Sequence, residues 1–262
     1  MRYTLLLTAS CILCTLFTQA QILNVERVRK SSETDKDLLG QIDFNFSTNN
    51  RSSTPDSSSI FTQVGIKANV ALLKPVTAYI LIGDVSYNAI AGNAFISNGY
   101  LHYRNHFFYH NTFSMEQYNQ WQYDAGRGLS NRLVSGIGGR YSLLDTGKFR
   151  LAVGSGIMAE HEVWQQEGQE IIRTLPKSSN YLTISAHFKE NVTIKFTNYY
   201  QVGYDGVSDL WRQRFSTDFS IAIQFTQKLS FTTTFASTYD VEPIVPIKKF
   251  LFSVNNGLRW KF

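Results

Sequence analysis

The chain has 262 residues, with 25 Lys and Arg against 20 Asp and Glu, a pI of about 9.1, and 14% aromatics, mostly Phe and Tyr. That length suits one large domain. No basic run is dense enough to point to nucleic acid. The only cysteines, Cys11 and Cys14, sit in an apolar N-terminal run, so thiol, disulfide and thiolate-metal chemistry is excluded once that run is removed.

Arg2 precedes an apolar stretch from Leu5 to Phe17, and Thr18-Gln19-Ala20 offers small-residue cleavage before Gln21. The apolar core is too short to span a bilayer, so residues 1–20 read as a signal peptide. Residues 21–37 are polar and charged and are expected to form a periplasmic extension. The remainder, 38–262, reads as one β-domain.

From there the chain alternates apolar and polar residues with period two, the pattern of strands with two unlike faces. Twelve segments are predicted. The first carries Ile42, Phe44 and Phe46; the second Val64, Ile66, Ala68 and Val70; the third Tyr79, Leu81, Val85 and Tyr87, with Ile80 and Ile82 blurring its other face. The fourth, Tyr100 to Phe108, is ambiguous, and the fifth, Phe113 to Tyr123, is the most polar. Next come Leu133, Ile137 and Tyr141; Phe149, Leu151, Val153 and Ile157; Leu182, Ile184 and Phe188; and Val192, Ile194, Phe196 and Tyr200. The tenth carries Phe219, Ile221, Ile223 and Phe225, and the eleventh Leu229, Phe231 and Phe235. In the last, Phe250, Phe252, Val254, Leu258, Trp260 and Phe262 share one parity, while Ser253, Asn255, Arg259 and Lys261 share the other. Several segments run about ten residues, which is what a tilted strand needs to cross a membrane.

Short and long connections alternate. Lys74-Pro75, His110-Asn111, Asp145 to Lys148, Lys189 to Asn191 and Thr226 to Lys228 are tight. Asn49 to Ser59, Ala89 to Asn98, Trp164 to Asn180, Tyr204 to Leu210 and Asp240 to Lys248 are expected to be longer loops, with Asp124 to Gly128 the exception; the Ser-rich Asn50 to Ser59 reads as a mobile tip. Short periplasmic turns and longer external loops are the pattern of an antiparallel transmembrane β-barrel. An even strand count puts both ends on the short-turn side. The aromatic C-terminus, Trp260 and Phe262, resembles the assembly signal of that class.

Three segments are similar to the domain-of-unknown-function 481 family, described as salt-induced outer-membrane proteins. They are Ser97 to Arg104, Arg132 to Tyr141, and Gly154 to Glu162, and the resemblance spans about residues 60 to 262. It implies a barrel in the outer membrane, with no established activity and no catalytic residue to carry over.

The search for chemistry is negative. Known lipid-hydrolysing barrels use a His with a Ser two positions on. His102, His106, His110, His161 and His187 are followed at that distance by Arg104, Phe108, Thr112, Val163 and Lys189. His102, His106 and His110 share a strand face, but residues four apart on a strand are separated by about 13 Å, too far to share a metal. No cofactor or metal site is expected.

Charges on the inward parity are the lumen-lining candidates: Arg104, Glu116, Arg132, Arg140, Arg150, Glu160, Arg214 and Asp218, with Asp43, Lys67, Asp84, Glu162, Lys195 and Arg259 beside them. Charge is costly on the lipid face and tolerated in the lumen. The set reads either as an ion-pair ladder filling the barrel or as the wall of a narrow selective pore. The expected protein is thus an outer-membrane barrel of envelope-structural or small-solute channel type. Its expected partners are outer-membrane lipid, the barrel assembly machinery, and small polar solutes or ions. The competing readings are a secreted or surface β-sandwich binding protein and a lipid-modifying barrel enzyme.

Overall fold

The computed structural model describes residues 38–260, apart from 55–56, 91, 189–190 and 227–228. The expected signal peptide, the extension over 21–37 and Phe262 lie outside the described residues. So do the side chains of Asp43, Arg259 and Trp260.

Among the described residues, twelve strands form one antiparallel sheet in which chain neighbours are sheet neighbours. They are β1 (Leu38–Thr54), β2 (Ser57–Leu73), β3 (Thr77–Ile90), β4 (Asn93–Phe107), β5 (Phe113–Asp124), β6 (Leu129–Asp145), β7 (Phe149–Gln166), β8 (Gln169–Phe188), β9 (Val192–Asp205), β10 (Leu210–Gln224), β11 (Leu229–Asp240) and β12 (Phe250–Trp260). A 3-10 turn, Ala125–Arg127, lies between β5 and β6. No helix among the described residues is long and apolar enough to cross a membrane, which says nothing about strands.

The period-two pattern sets which face each residue occupies. On β7 the outward Ile157 is 67% exposed, while Glu160, three residues on, is 1% exposed. Outward side chains elsewhere are also large, apolar and exposed: Ile42, Phe44 and Phe46 on β1, Leu81 and Val85 on β3, Ile137 and Tyr141 on β6, Phe250 and Phe252 on β12. Inward side chains are charged and buried: Asp84, Arg104, Glu116, Arg140, Glu162, Lys177. This inverts the arrangement of a water-soluble protein.

Inward contacts show how far the sheet curls. Tyr181 on β8 donates to Glu116 on β5 at 2.8 Å, and Arg214 on β10 reaches Glu160 on β7 at 2.9 Å. Arg104 on β4 hydrogen-bonds Tyr199 on β9. Strands three and five apart therefore face each other across one interior. Leu38 pairs with Leu72 beside the β2–β3 turn, and Trp260 pairs with Leu229 beside the β10–β11 turn, so both edges of the sheet start from the same rim.

The turns on that rim follow from local chemistry. Lys74 N–H donates to Thr77 O around Pro75, whose fixed φ suits a turn. Asp145 Oδ1 accepts from Gly147 N–H, with Gly147 at φ 76°. The opposite rim differs from expectation. Four of its six connections were expected to be longer loops than they are. β1 and β2 stay paired out to Thr54 and Ser57, so Arg51 and Ser52 oppose Ser59 and Ser58 instead of forming a mobile tip. β3 and β4 pair out to Ile90 and Asn93. β7 and β8 continue to Gln166 and Gln169, joined by Glu167 and Gly168 with φ of 51° and 79°. Two successive positive φ values match the right-handed strand twist, which is how a two-residue hairpin closes. β9 and β10 stay paired to Asp205 and Leu210, leaving four residues between them. The asymmetry between rims lies mostly in strands that overshoot. Among the described residues, only 241–249 form a loop of real length on this side.

That loop folds back over the interior. Val245 is buried against Leu129 and Trp164, with Ile171, Ile244 and Ile247 packed around them. Its stem is fixed by Val241 N–H to Gln213 O at 3.0 Å and by Arg212 Nη1 to Glu242 O at 2.7 Å.

Candidate functional site

The interior is filled in layers. Beneath the Leu129–Trp164–Val245 cap lies an ion-pair layer from five strands. Arg132 (β6) contacts Glu160 at 2.5 Å and Glu162 at 3.1 Å, both on β7. Arg214 (β10) contacts Glu160 at 2.9 Å, Glu162 at 3.2 Å and Asp240 (β11) at 2.6 Å. Lys177 (β8) pairs with Glu160. Three cations answer three carboxylates, which is what allows these charges to stay buried. Trp164 donates its indole N–H to Glu162 at 2.9 Å, tying the cap to the layer.

The next layer is aromatic and basic. Arg104 donates to Glu116 at 3.2 Å and lies 5.4 Å from the Tyr118 ring centroid. Arg104 Nε also donates to His102 Nε2 at 3.4 Å, so that nitrogen is an acceptor, and Nδ1 donates to Gln120 Oε1 at 3.2 Å. His102 is therefore neutral here. Arg140 sits 6.0 Å from the Tyr181 ring. Deeper still, His106 Nε2 and Ser114 Oγ are 2.7 Å apart.

Glycines make room for these rings. Gly136 and Gly154 face inward on β6 and β7. A Cβ at Gly136 would come within 2.4 Å of Tyr118, and one at Gly154 within 2.1 Å of Tyr181. The glycine-rich runs of these strands are thus seats for tyrosines on β5 and β8.

The structure brings together Arg104, Glu116 and Arg140 in the deeper layer, and Arg132, Glu160 and Arg214 in the upper one. Arg150 is set apart. It pairs with Asp145 across the β6–β7 turn at 3.2 Å, at the rim. Asp218 shares the inward parity of Arg214 on β10, opposite Thr197. Lys67 and Asp84 form a separate pair at 3.3 Å on β2 and β3. His102 and His106 face inward, while His110 lies in the β4–β5 turn, its ring 3.9 Å from that of Tyr109. His161 faces outward and hydrogen-bonds Thr174 at 2.7 Å. No cluster of three metal-ligating side chains is present among the described residues.

Sequence reasoning missed Lys177, Asp240, Asp205, Arg212 and the tyrosines. Asp205, fully buried, takes Arg212 at 2.7 Å and Arg173 at 3.4 Å, a clamp beside the cap. Extending the parity of Thr183 and Ser185 back along β8 leads to Lys177 and Arg173. The Ile171-Ile172 doublet and Pro176 hide that register.

With this geometry in view, comparison places the chain. A family model described as "Protein of unknown function, DUF481" matches residues 82–245. The chain belongs to that family. The match is narrower than the expected span of about 60 to 262, yet it contains all three motif segments. In this DUF481 chain those segments supply β4, the Gly136 seat with Arg132 and Arg140, and the Gly154 seat with Glu160 and Glu162. No curated protein matches. Among solved structures, the chain is similar to a deltaS2 mutant of the TodX monoaromatic hydrocarbon channel, with 10% identity, TM-score 0.42 and coverage of 86% of this chain and 80% of that one. It is similar to the NanC porin at 9% identity, TM-score 0.45 and coverage of 85% and 100%. It is also similar to the beta domain of the Bordetella autotransporter Brka at 9% identity, TM-score 0.38 and coverage of 87% and 100%.

Proposed function

We propose that this protein is a closed twelve-stranded barrel of the bacterial outer membrane, with a lumen sealed in the conformation described, acting as an envelope-structural barrel. The observation that carries this reading is the inversion of burial. Large apolar side chains cover the outside of the wall, and paired charges fill the inside. Water would penalise the first, and hydrocarbon is the solvent that suits both. Closure of β1 against β12 follows from the same solvent, because an open strand edge in hydrocarbon leaves backbone N–H and C=O groups unpaired. Outer-membrane lipid is then the partner of the outward face, and the aromatic C-terminus the element read by the assembly machinery.

Sealing rests on the upper ion-pair layer and on the 241–249 cap. Opening a path would require displacing Val245 and breaking contacts to Arg214, so passage of small polar solutes is the second reading, favoured by a chamber left beneath the cap. The His106–Ser114 pair, 2.7 Å apart, is buried on the inward face and not turned to the lipid side, which weighs against the enzyme reading.

Cell fractionation and planar-bilayer recording test the proposal. The protein should co-sediment with the outer membrane, and reconstituted full-length protein should show no stepwise conductance. Recovery from the periplasm as a soluble protein overturns the barrel. Frequent stable openings overturn the seal in favour of a channel.

A further inference from the structure

The packed lumen leaves a partly open chamber of about 120 Å³ between the two polar layers. Arg132, Glu162 and Arg214 reach it from above, and Arg104, Glu116 and Tyr181 from below. Its side wall carries amides and hydroxyls, from Gln120, Gln122, Gln201, Ser179, Ser216 and Thr238, beside the apolar Leu129 and Val134. Gly138 and Gly156, paired directly across β6 and β7, withhold side chains from it.

We propose that this chamber is a binding site for a small neutral polyhydroxylated solute of about the size of glycerol. The inference deepens the reading above, since it requires a lumen screened from lipid. Three features set the ligand class. Charge is the first. The guanidinium groups of Arg132, Arg214 and Arg104 that border the chamber are already engaged by Glu160, Glu162, Asp240 and Glu116. A charged guest would have to compete with contacts already made, whereas a neutral one need not. Hydrogen-bonding capacity is the second. The buried Gln201 Oε1 has no hydrogen-bond partner, and Gln201 Nε2 is spent on the Met158 sulfur at 3.7 Å. A buried amide acceptor in that condition is costly, and a turn of the Gln201 side chain toward the chamber would bring it to a hydroxyl donor of a guest. Size is the third. The chamber has room for several waters and offers them amide and hydroxyl partners, so a compact polyol could take their place and keep those hydrogen bonds.

The test uses the full chain refolded in detergent, with glycerol as the probe. Trp164 lines the chamber, so its indole N–H resonance is the reporter. Protein is refolded across a glycerol series, which lets the solute enter before the wall closes. The expected result is a saturable shift of the Trp164 signal, unmoved by sucrose, which is too large for the chamber. Gln201→Leu removes the acceptor at similar volume and should weaken the apparent affinity about tenfold. Ser216→Leu fills the chamber and should abolish saturation, while outward Thr217→Leu should change nothing. Should Ser216→Leu fail to fold, the Gln201→Leu comparison decides. A linear, unsaturable shift, or a saturable one unaffected by Gln201→Leu, overturns the proposal. Fractionation and conductance report on the wall and not on a guest. A sealed outer-membrane barrel with an unresponsive Trp164 signal would therefore overturn this inference alone.

Discussion

Glu160 on β7 and Arg214 on β10 stand three strands apart in the sheet and 2.9 Å apart across the interior. Such a contact exists only if the sheet wraps around its charged face. The same two side chains hold β6, β8 and β11 through Arg132, Lys177 and Asp240. Replacing Arg214 with Met leaves the β7 and β11 carboxylates short of a cation. The expected cost is about 3–5 kcal/mol, the range for removing one partner of a buried ion pair. Glu160→Gln should cost less in the Arg214→Met background than alone, because part of its role is already gone. Denaturant unfolding in detergent measures both. Additive losses would mean that the two side chains act independently.

The Gly154–Tyr181 seat makes a steric prediction. A methyl at Gly154 would meet the Tyr181 ring, so Gly154→Ala should destabilise by about 1–3 kcal/mol. Tyr181→Leu has its own cost, since the hydroxyl serves Glu116. In that background the Gly154→Ala penalty should shrink. An unchanged penalty would show that the glycine is needed for its backbone and not for the ring.

The 241–249 cap makes a prediction about exposure. Val245→Asp places a charge between Leu129 and Trp164, where no cation is supplied by the cap cluster. The cap should lift while the wall holds. Trp164 emission should move to the red, read in a background with Trp121, Trp211 and Trp260 changed to Phe. Heat-modifiable migration on a detergent gel should persist. Unchanged emission would mean that the apolar cluster forms without the loop.

Much of this was legible in the sequence because a strand keeps strict period two. Outward Ile157 and inward Glu160 follow from counting along β7, as do Phe250 and Phe252 on β12. Layers were not legible. They depend on the stagger between strands, which places Arg214 beside Glu160 and leaves Arg150 at the rim with Asp145. The ends of the long hairpins were misread as loops because their residues break the apolar–polar alternation. Gln165 and Glu170, a cross-hairpin hydrogen-bonded pair at 3.1 Å, look like loop residues in the sequence. Pro176 falls beyond Ser178↔Val202, the last β8–β9 pair among the described residues, where β8 is paired on one side only and proline is tolerated. Lys177, next to it, was lost with that register.

Deletion of Phe262, which lies outside the described residues, is expected to separate assembly from stability. Its deletion removes one apolar side chain, worth about 2 kcal/mol if fully buried. That is modest for a wall of many paired strands. Insertion in cells should fall steeply while spontaneous refolding into detergent changes little. Equal losses in both would mark Phe262 as structural only.

Spin labels placed one at a time along β7 test the inside-out wall most directly, since both cysteines lie at positions 11 and 14, within the expected signal peptide. Labels at outward Val153 and Ile157 in lipid bilayers should collide readily with oxygen and poorly with a water-soluble nickel chelate, and labels at inward Ala152 and Met158 should collide poorly with both. High nickel accessibility at Val153 and Ile157 would contradict the account, because it would put water, not hydrocarbon, against the apolar face.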